Sequence, residues 1–231
     1  MYFCFADEQW VPNMPTADRA LQEPNGLVAA GGSLDPESLI AAYTGGMFPW
    51  FNDDADAILW WSPDPRAVID PLHPRVPRSL AKRIRSGCYQ LTADTAFDQV
   101  IEQCAKCRPG SEGTWITANM SRAYRQLHLE GYAHSIEVWE NSQLVGGLYG
   151  VAIGGVFFGE SMFARSRDAS KVALVRLAGV LADRGFGLID GQVSSAHLSS
   201  LGAVDIPRKE FLTRISSLIK RPGWPGLWTL E

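Results

Sequence analysis

The sequence has little cysteine, no basic leader, no membrane-length apolar run, no internal repeat and no excess of positive charge. Each shortage excludes something. Four cysteines in 231 residues are too few for a disulfide-stapled scaffold, and without a secretory signal they read as reduced thiols of a cytoplasmic protein. Cys104 and Cys107 form a lone C-x-x-C with no second pair and no histidine at metal spacing, so no zinc site is expected. The N-terminus meets Asp7 and Glu8 before any basic residue, unlike a signal peptide. The longest uncharged run, Asn141 to Gly159, holds six glycines and breaks into turns, so it reads as strands and not as a membrane helix. With 21 basic against 25 acidic side chains, the whole chain is not a polycation that coats nucleic acid.

What is present points to a folded α+β (mixed α/β) protein. Hydrophobic residues make up 46% and charged residues 20%, which is globular composition. Charge is unevenly spread: residues 1–64 hold ten acidic side chains and a single basic one, Arg19, whereas 65–231 hold 20 basic and 15 acidic. Pro63 and Pro65 enforce extended chain at that switch, so a small acidic N-terminal domain (1–64) and a larger second domain (65–231) are expected. Asp35 as cap, Pro36 at the first helical position and Gly45-Gly46 as a stop predict a helix between them. Further helices are predicted at 79–85 (opened by Pro77), 94–106, 117–130, 169–184 and 208–219. Alternating or glycine-punctuated apolar runs at 134–139, 144–151, 156–162 and 186–190 predict strands.

Several segments in register narrow the reading. Glu23–Leu27, Gly45–Phe51, Leu59–Arg66, Gly113–Ile116, Ala133–Trp139, Leu144–Gly150, Phe158–Phe163, Ala169–Lys171, Leu188–Gln192 and Ser200–Ala203 together resemble the leucyl/phenylalanyl-tRNA–protein transferase family. The resemblance implies a small N-terminal domain followed by a GNAT-like (acyl-CoA N-acyltransferase-like) domain that uses no coenzyme A. It implies an enzyme that takes Leu or Phe, also Met, from leucyl-tRNA or phenylalanyl-tRNA. The residue goes to the N-terminal Arg or Lys of a protein, which marks that protein for degradation. No cofactor, no metal and no membrane partner are implied, and the protein is expected to act as a monomer.

The chemistry needs little. The ester is already activated, and an α-amine of pKa about 8 is about one-tenth neutral at pH 7. Alignment, a proton acceptor and stabilisation of an oxyanion suffice. The resemblance assigns peptide-bond formation to Asp190 and Gln192, which would share a strand face at i and i+2. Gln192 would orient the amine through its amide oxygen, and Asp190 would fix the amide and offset charge. Gly191 stands where family members often carry Cys, so no thiol is needed there. Glu160 would meet a cationic acceptor group; otherwise it pairs internally, for instance with Lys171. By resemblance, Leu148, Phe157, Leu174, Leu177 and Ile189 wall a dry pocket for the aminoacyl side chain.

Trp50 and Trp115 are candidates for stacking on the 3′-terminal adenosine. Arg75, Arg78, Lys82, Arg83 and Arg85 would run along the acceptor-stem backbone, with tRNA confined to the side of the second domain because the first is acidic. Each assignment has a plain structural counterpart: buried polar groups satisfying backbone, ordinary apolar core, core tryptophans and a solvated helix face. Two other functions fit parts of the pattern. A coenzyme-A-dependent N-acetyltransferase would want glycine in the turn Arg165–Ser170, which has none. A non-enzymatic reader of basic N-termini would use the same carboxylates, Glu160 and Asp190.

Overall fold

The computed structural model describes residues 14–106 and 116–230, together with the backbone of Phe5–Ala6. Two sheets carry the fold. The smaller has the order β1 (Phe5–Ala6), β2 (Leu27–Gly31), β4 (Leu59–Trp61), β3 (Phe48–Pro49). Helix α1 (Pro36–Thr44) connects β2 to β3 and is capped by Asp35, whose carboxylate accepts the Ser38 N–H at 2.9 Å. It stops at Gly45, and Gly46 follows at φ +79°, where a side chain would press against Leu212 of the last helix.

The larger sheet holds β5 (Arg66–Ile69), β6 (Gln90–Ala93), β7 (Ala133–Glu140), β8 (Gln143–Ile153), β9 (Val156–Ala164), β10 (Leu188–Gln192) and β11 (Val204–Ile206). Their order is β11-β5-β10-β9-β8-β7-β6, antiparallel throughout except for the parallel β9–β10 pair. That pair is short. Leu188 to Asp190 match Val156 to Phe158; beyond this β9 runs on to Ala164 while β10 ends at Gln192. The sheet therefore opens between the two strands.

Each face is covered. The N-terminal sheet, α1, α3 (Phe97–Ala105), α4 (Ala118–Leu129) and α7 (Arg208–Leu218) share one cluster of buried side chains with one face of the large sheet. On the other face α5 (Ala169–Asp183) and α2 (Arg78–Arg85) pack with the tail residue Trp228. A short α6 (Ala196–Ser200) follows β10.

The predicted helices and strands are present with shifted ends. The 94–106 helix begins only at Phe97, because Asp94 adopts φ +55° and turns its carboxylate onto β7. The 186–190 strand moves two residues on, to Leu188–Gln192. The short strands β1 to β6 and β11, and helix α6, have no periodicity long enough to announce them.

Candidate active site

A cavity of about 900 Å³ opens where β9 and β10 part. One wall is apolar: Leu148, Phe157, Leu174, Leu177 and Ile189, the five residues expected there, come together with Ile69 of β5. Ile69 escaped the sequence reading. The opposite wall is polar, with Glu160, Asp190 and Gln192, and Lys106 and Arg165 also line the space.

Two β-bulges place the polar groups. In the β8–β9 ladder Gly150 faces Gly159 and Tyr149 faces Ser161, so Glu160 is the extra, unpaired residue. In the β5–β10 ladder Val68 faces Asp190 and Ala67 faces Gln192, leaving Gly191 extra. Bulges of this kind re-aim side chains at sheet edges. The second one also breaks the expected alternation: Gln192 sits at φ +61°, and Asp190 and Gln192 do not share a strand face.

Asp190 is fully buried, and so is Arg66. The guanidinium grips the carboxylate with both ends, Nε to Oδ1 at 2.9 Å and Nη2 to Oδ2 at 2.6 Å. It is sandwiched between the Phe48 and Phe211 rings, 4.9 and 4.4 Å from their centroids. Its Nη1 has no hydrogen-bond partner among the described residues. Asp190 Oδ1 also accepts the Gln192 backbone N–H at 2.9 Å, which holds that residue in its left-handed conformation. The negative charge expected to meet an incoming amine is thus met by Arg66. Arg66 escaped the sequence reading because its partner lies 124 residues away.

Glu160 lies in a ring of oxygens. Tyr43 and Tyr124, both fully buried, reach its Oε1 and Oε2 at 2.7 Å each, and the two phenol oxygens are 2.6 Å apart. Gln192 donates its side-chain amide to Oε1 at 2.8 Å, which turns its amide oxygen away from Glu160. Both phenols donate to the carboxyl, one to each oxygen, and Gln192 is a third donor. Burial pushes this carboxyl up to about 7, against the lowering effect of the two phenols and Gln192. Burial, with the adjacent Glu160 charge, also holds both phenols well above their ordinary range. Glu160 does not pair with Lys171, which instead faces Asp168 at 3.5 Å. Tyr43 and Tyr124 escaped the sequence reading; a polar atom on an otherwise apolar helix face was the available signal.

The remaining candidates lie elsewhere. Trp50 is 44% exposed, packs against Trp61 and does not line the cavity. Trp115 lies outside the described residues. Arg78, Lys82 and Arg85 are exposed on α2, Arg75 is exposed just before it, and Arg83 is partly buried over Tyr89. This basic segment borders elements of the cavity: the Arg75 N–H bonds to Leu201 O beyond α6, and the Tyr89 hydroxyl bonds to Arg167 O before α5. Among the described residues no three His, Cys, Asp or Glu side chains are grouped to hold a metal ion. No described helix is long and apolar enough to cross a membrane.

Residues 68–216 match the family model for leucyl/phenylalanyl-tRNA protein transferase, and residues 32–64 match the model for its N-terminal domain. The leucyl/phenylalanyl-tRNA–protein transferase of Thiobacillus denitrificans is 54% identical over 217 residues, covering 94% of this chain and 95% of that protein. That of Nitrosomonas europaea is 53% identical over 217 residues, covering 94% and 92%. Among solved structures, a GCN5-related N-acetyltransferase from Kribbella flavida is similar over 74% of this chain and 60% of that one, at 10% identity and a TM-score of 0.39. With one model spanning more than half of the sequence and relatives more than half identical along nearly all of it, the chain belongs to the leucyl/phenylalanyl-tRNA protein transferase family.

Proposed function

We propose that this enzyme moves leucine or phenylalanine, and also methionine, from its tRNA ester to the α-amine of proteins that begin with Arg or Lys, marking them for degradation. The observation that carries this reading is an apolar cavity ending at Gln192 and Glu160, where β9 and β10 separate. An apolar side chain held by Leu148, Phe157, Leu174, Leu177 and Ile189 would leave its ester carbonyl at the polar wall. Because the Gln192 amide N–H is committed to Glu160, its oxygen is the atom free to orient the attacking amine. The C–N bond forms, the C–O bond to the tRNA 3′ oxygen breaks, and the proton lost by the amine ends on that oxygen. Asp190 acts as a positioning residue through Gln192, with Arg66 fixing it in turn. Glu160, ionised above about pH 7, supplies the negative charge for a basic acceptor.

The exposed cations Arg75, Arg78, Lys82 and Arg85, with Arg83, are assigned to the acceptor stem, and Trp50 and Trp115 to the terminal adenosine. A division into 1–64 and 65–231, a monomeric state and a cytoplasmic location belong to the same reading. Coenzyme-A chemistry is not favoured: the turn before α5 lacks glycine, and its left-handed residue is Asp168 at φ +62°. The test is a transfer assay with leucyl-tRNA or acetyl-CoA as donor and an Arg-initiated peptide as acceptor. Leucylated peptide is expected. Acetylated peptide, or none modified, would overturn the reading.

A further inference from the structure

After α7 the chain runs from Arg221 to Leu230 without helix or strand, yet this tail is no loose end. Trp228 is 1% exposed and belongs to the core beneath α5. Its ring is held on both faces, stacked on His134 at 3.9 Å and 5°, and on Trp224 at 4.4 Å and 9°. The Arg184 guanidinium closes the pile 3.9 Å above Trp224. The backbone is fixed as well. The Trp228 N–H donates to Asp94 Oδ2 at 2.7 Å, the same oxygen that contacts His134 Nδ1 at 2.8 Å. The indole Nε1–H donates to Trp224 O at 2.9 Å.

So anchored, the indole stands behind a cavity wall. Phe157 lines the cavity and lies 6.0 Å from Trp228, centroid to centroid, whereas Trp228 does not reach the cavity. On another side the Phe157 ring uses the space above Gly150, where a Cβ would come within 2.6 Å of two of its ring atoms. A ring confined in this way cannot withdraw when a bulkier side chain enters. Close-packed interiors transmit such constraints.

We infer that Trp228 sets the depth of the aminoacyl pocket through Phe157, and thereby the choice between leucine and phenylalanine. The inference rests on the apolar cavity being the aminoacyl pocket, as proposed above. Trp228 is a positioning residue: it touches no substrate. Apolar pockets discriminate about 10- to 200-fold per methylene, and a partial retreat of one wall should move a ratio by about three- to tenfold.

The test compares kcat/KM for leucyl-tRNA and phenylalanyl-tRNA, with an Arg-initiated peptide, in the wild type and in Trp228→Leu, Trp228→Phe and Trp224→Ala. Trp228→Leu should raise the Phe-over-Leu ratio about three- to tenfold, and Trp228→Phe should raise it less. Trp224→Ala removes the ring that supports one face of the indole and should raise the ratio less than Trp228→Leu does. An unchanged ratio in the position-228 variants overturns the inference, and so does a larger shift in Trp224→Ala than in Trp228→Leu. If Trp228→Leu does not fold, Trp228→Phe decides alone. A wild type that transfers neither residue strikes the proposed function itself and removes this inference with it.

Discussion

Replacing Arg66 with Met tests the frame on which the polar wall is built. Arg66 and Asp190 are each fully buried and joined by two hydrogen bonds. The substitution leaves the Asp190 carboxylate sealed from water without its cation. Breaking a buried pair from one side costs about 3–5 kcal/mol, and in a chain of this length each kcal/mol lowers Tm by about 2–4 °C. Calorimetry or thermal circular dichroism should therefore show a fall of about 6–20 °C. The double variant Arg66→Met with Asp190→Leu removes both charges. It should recover most of the loss, since apolar replacement of a buried pair is near neutral. Transfer activity should stay low, because the Gln192 N–H has lost its acceptor and its left-handed backbone is no longer held. A fall below about 2 °C in the single variant would refute the buried-charge reasoning. Full activity in the double variant would refute the claim that Asp190 acts through Gln192.

Gln192→Ala should lower the transfer rate by about tenfold or more while tRNA binding, followed by filter retention, stays near wild type, since misalignment of the reacting groups alone costs about 10²-fold; an equal loss of both would make Gln192 structural. Glu160 makes stability pH-dependent. Its folded-state pKa is raised, so its contribution is full below about 4.5 and is lost as pH rises through about 7. At about 1.4 kcal/mol per pH unit this amounts to about 3 kcal/mol, and Glu160→Gln should flatten the decline measured by urea titration between about pH 5 and 8. Tyr43→Phe removes a hydrogen bond that lowers the Glu160 pKa. It should move the inflection in KM for an Arg-initiated peptide to higher pH, and an inflection that stays put or falls would contradict the oxygen ring. Lys82→Glu with Arg83→Glu should weaken tRNA binding and reduce the slope of its salt dependence by about two charges; unchanged binding would remove α2 from the tRNA surface.

Much of the fold was legible because helices announce their ends. Asp35 accepts the Ser38 N–H of the first turn as its position suggested; Thr117, read as the first helical residue, instead caps the helix by accepting the Met120 N–H, and Gly131 and Gly185 follow the helices they stop. The apolar wall was legible only through the family resemblance, since Leu174 and Leu177 read equally well as core. What escaped depends on pairings far apart in sequence. No local pattern foretells that β9 and β10 match over three residues and then part, or that each carries one extra residue there. The i, i+2 spacing of Asp190 and Gln192 misled for that reason, since alternation presumes a straight strand. Arg66 stood at the end of a family motif, with no role of its own, although a strand start between prolines and an apolar run is a poor place for a solvated charge.

Tyr43 comes from the short first part of the chain, whereas Glu160 and Gln192 come from strands more than a hundred residues later. A fragment starting near Pro65 would keep the whole greasy wall and still lack one of the two phenols that hydrogen-bond the buried carboxyl. The leading segment is therefore a component of the proposed reaction centre as much as scaffolding, and any graft of the later part onto a foreign partner must bring that hydroxyl along.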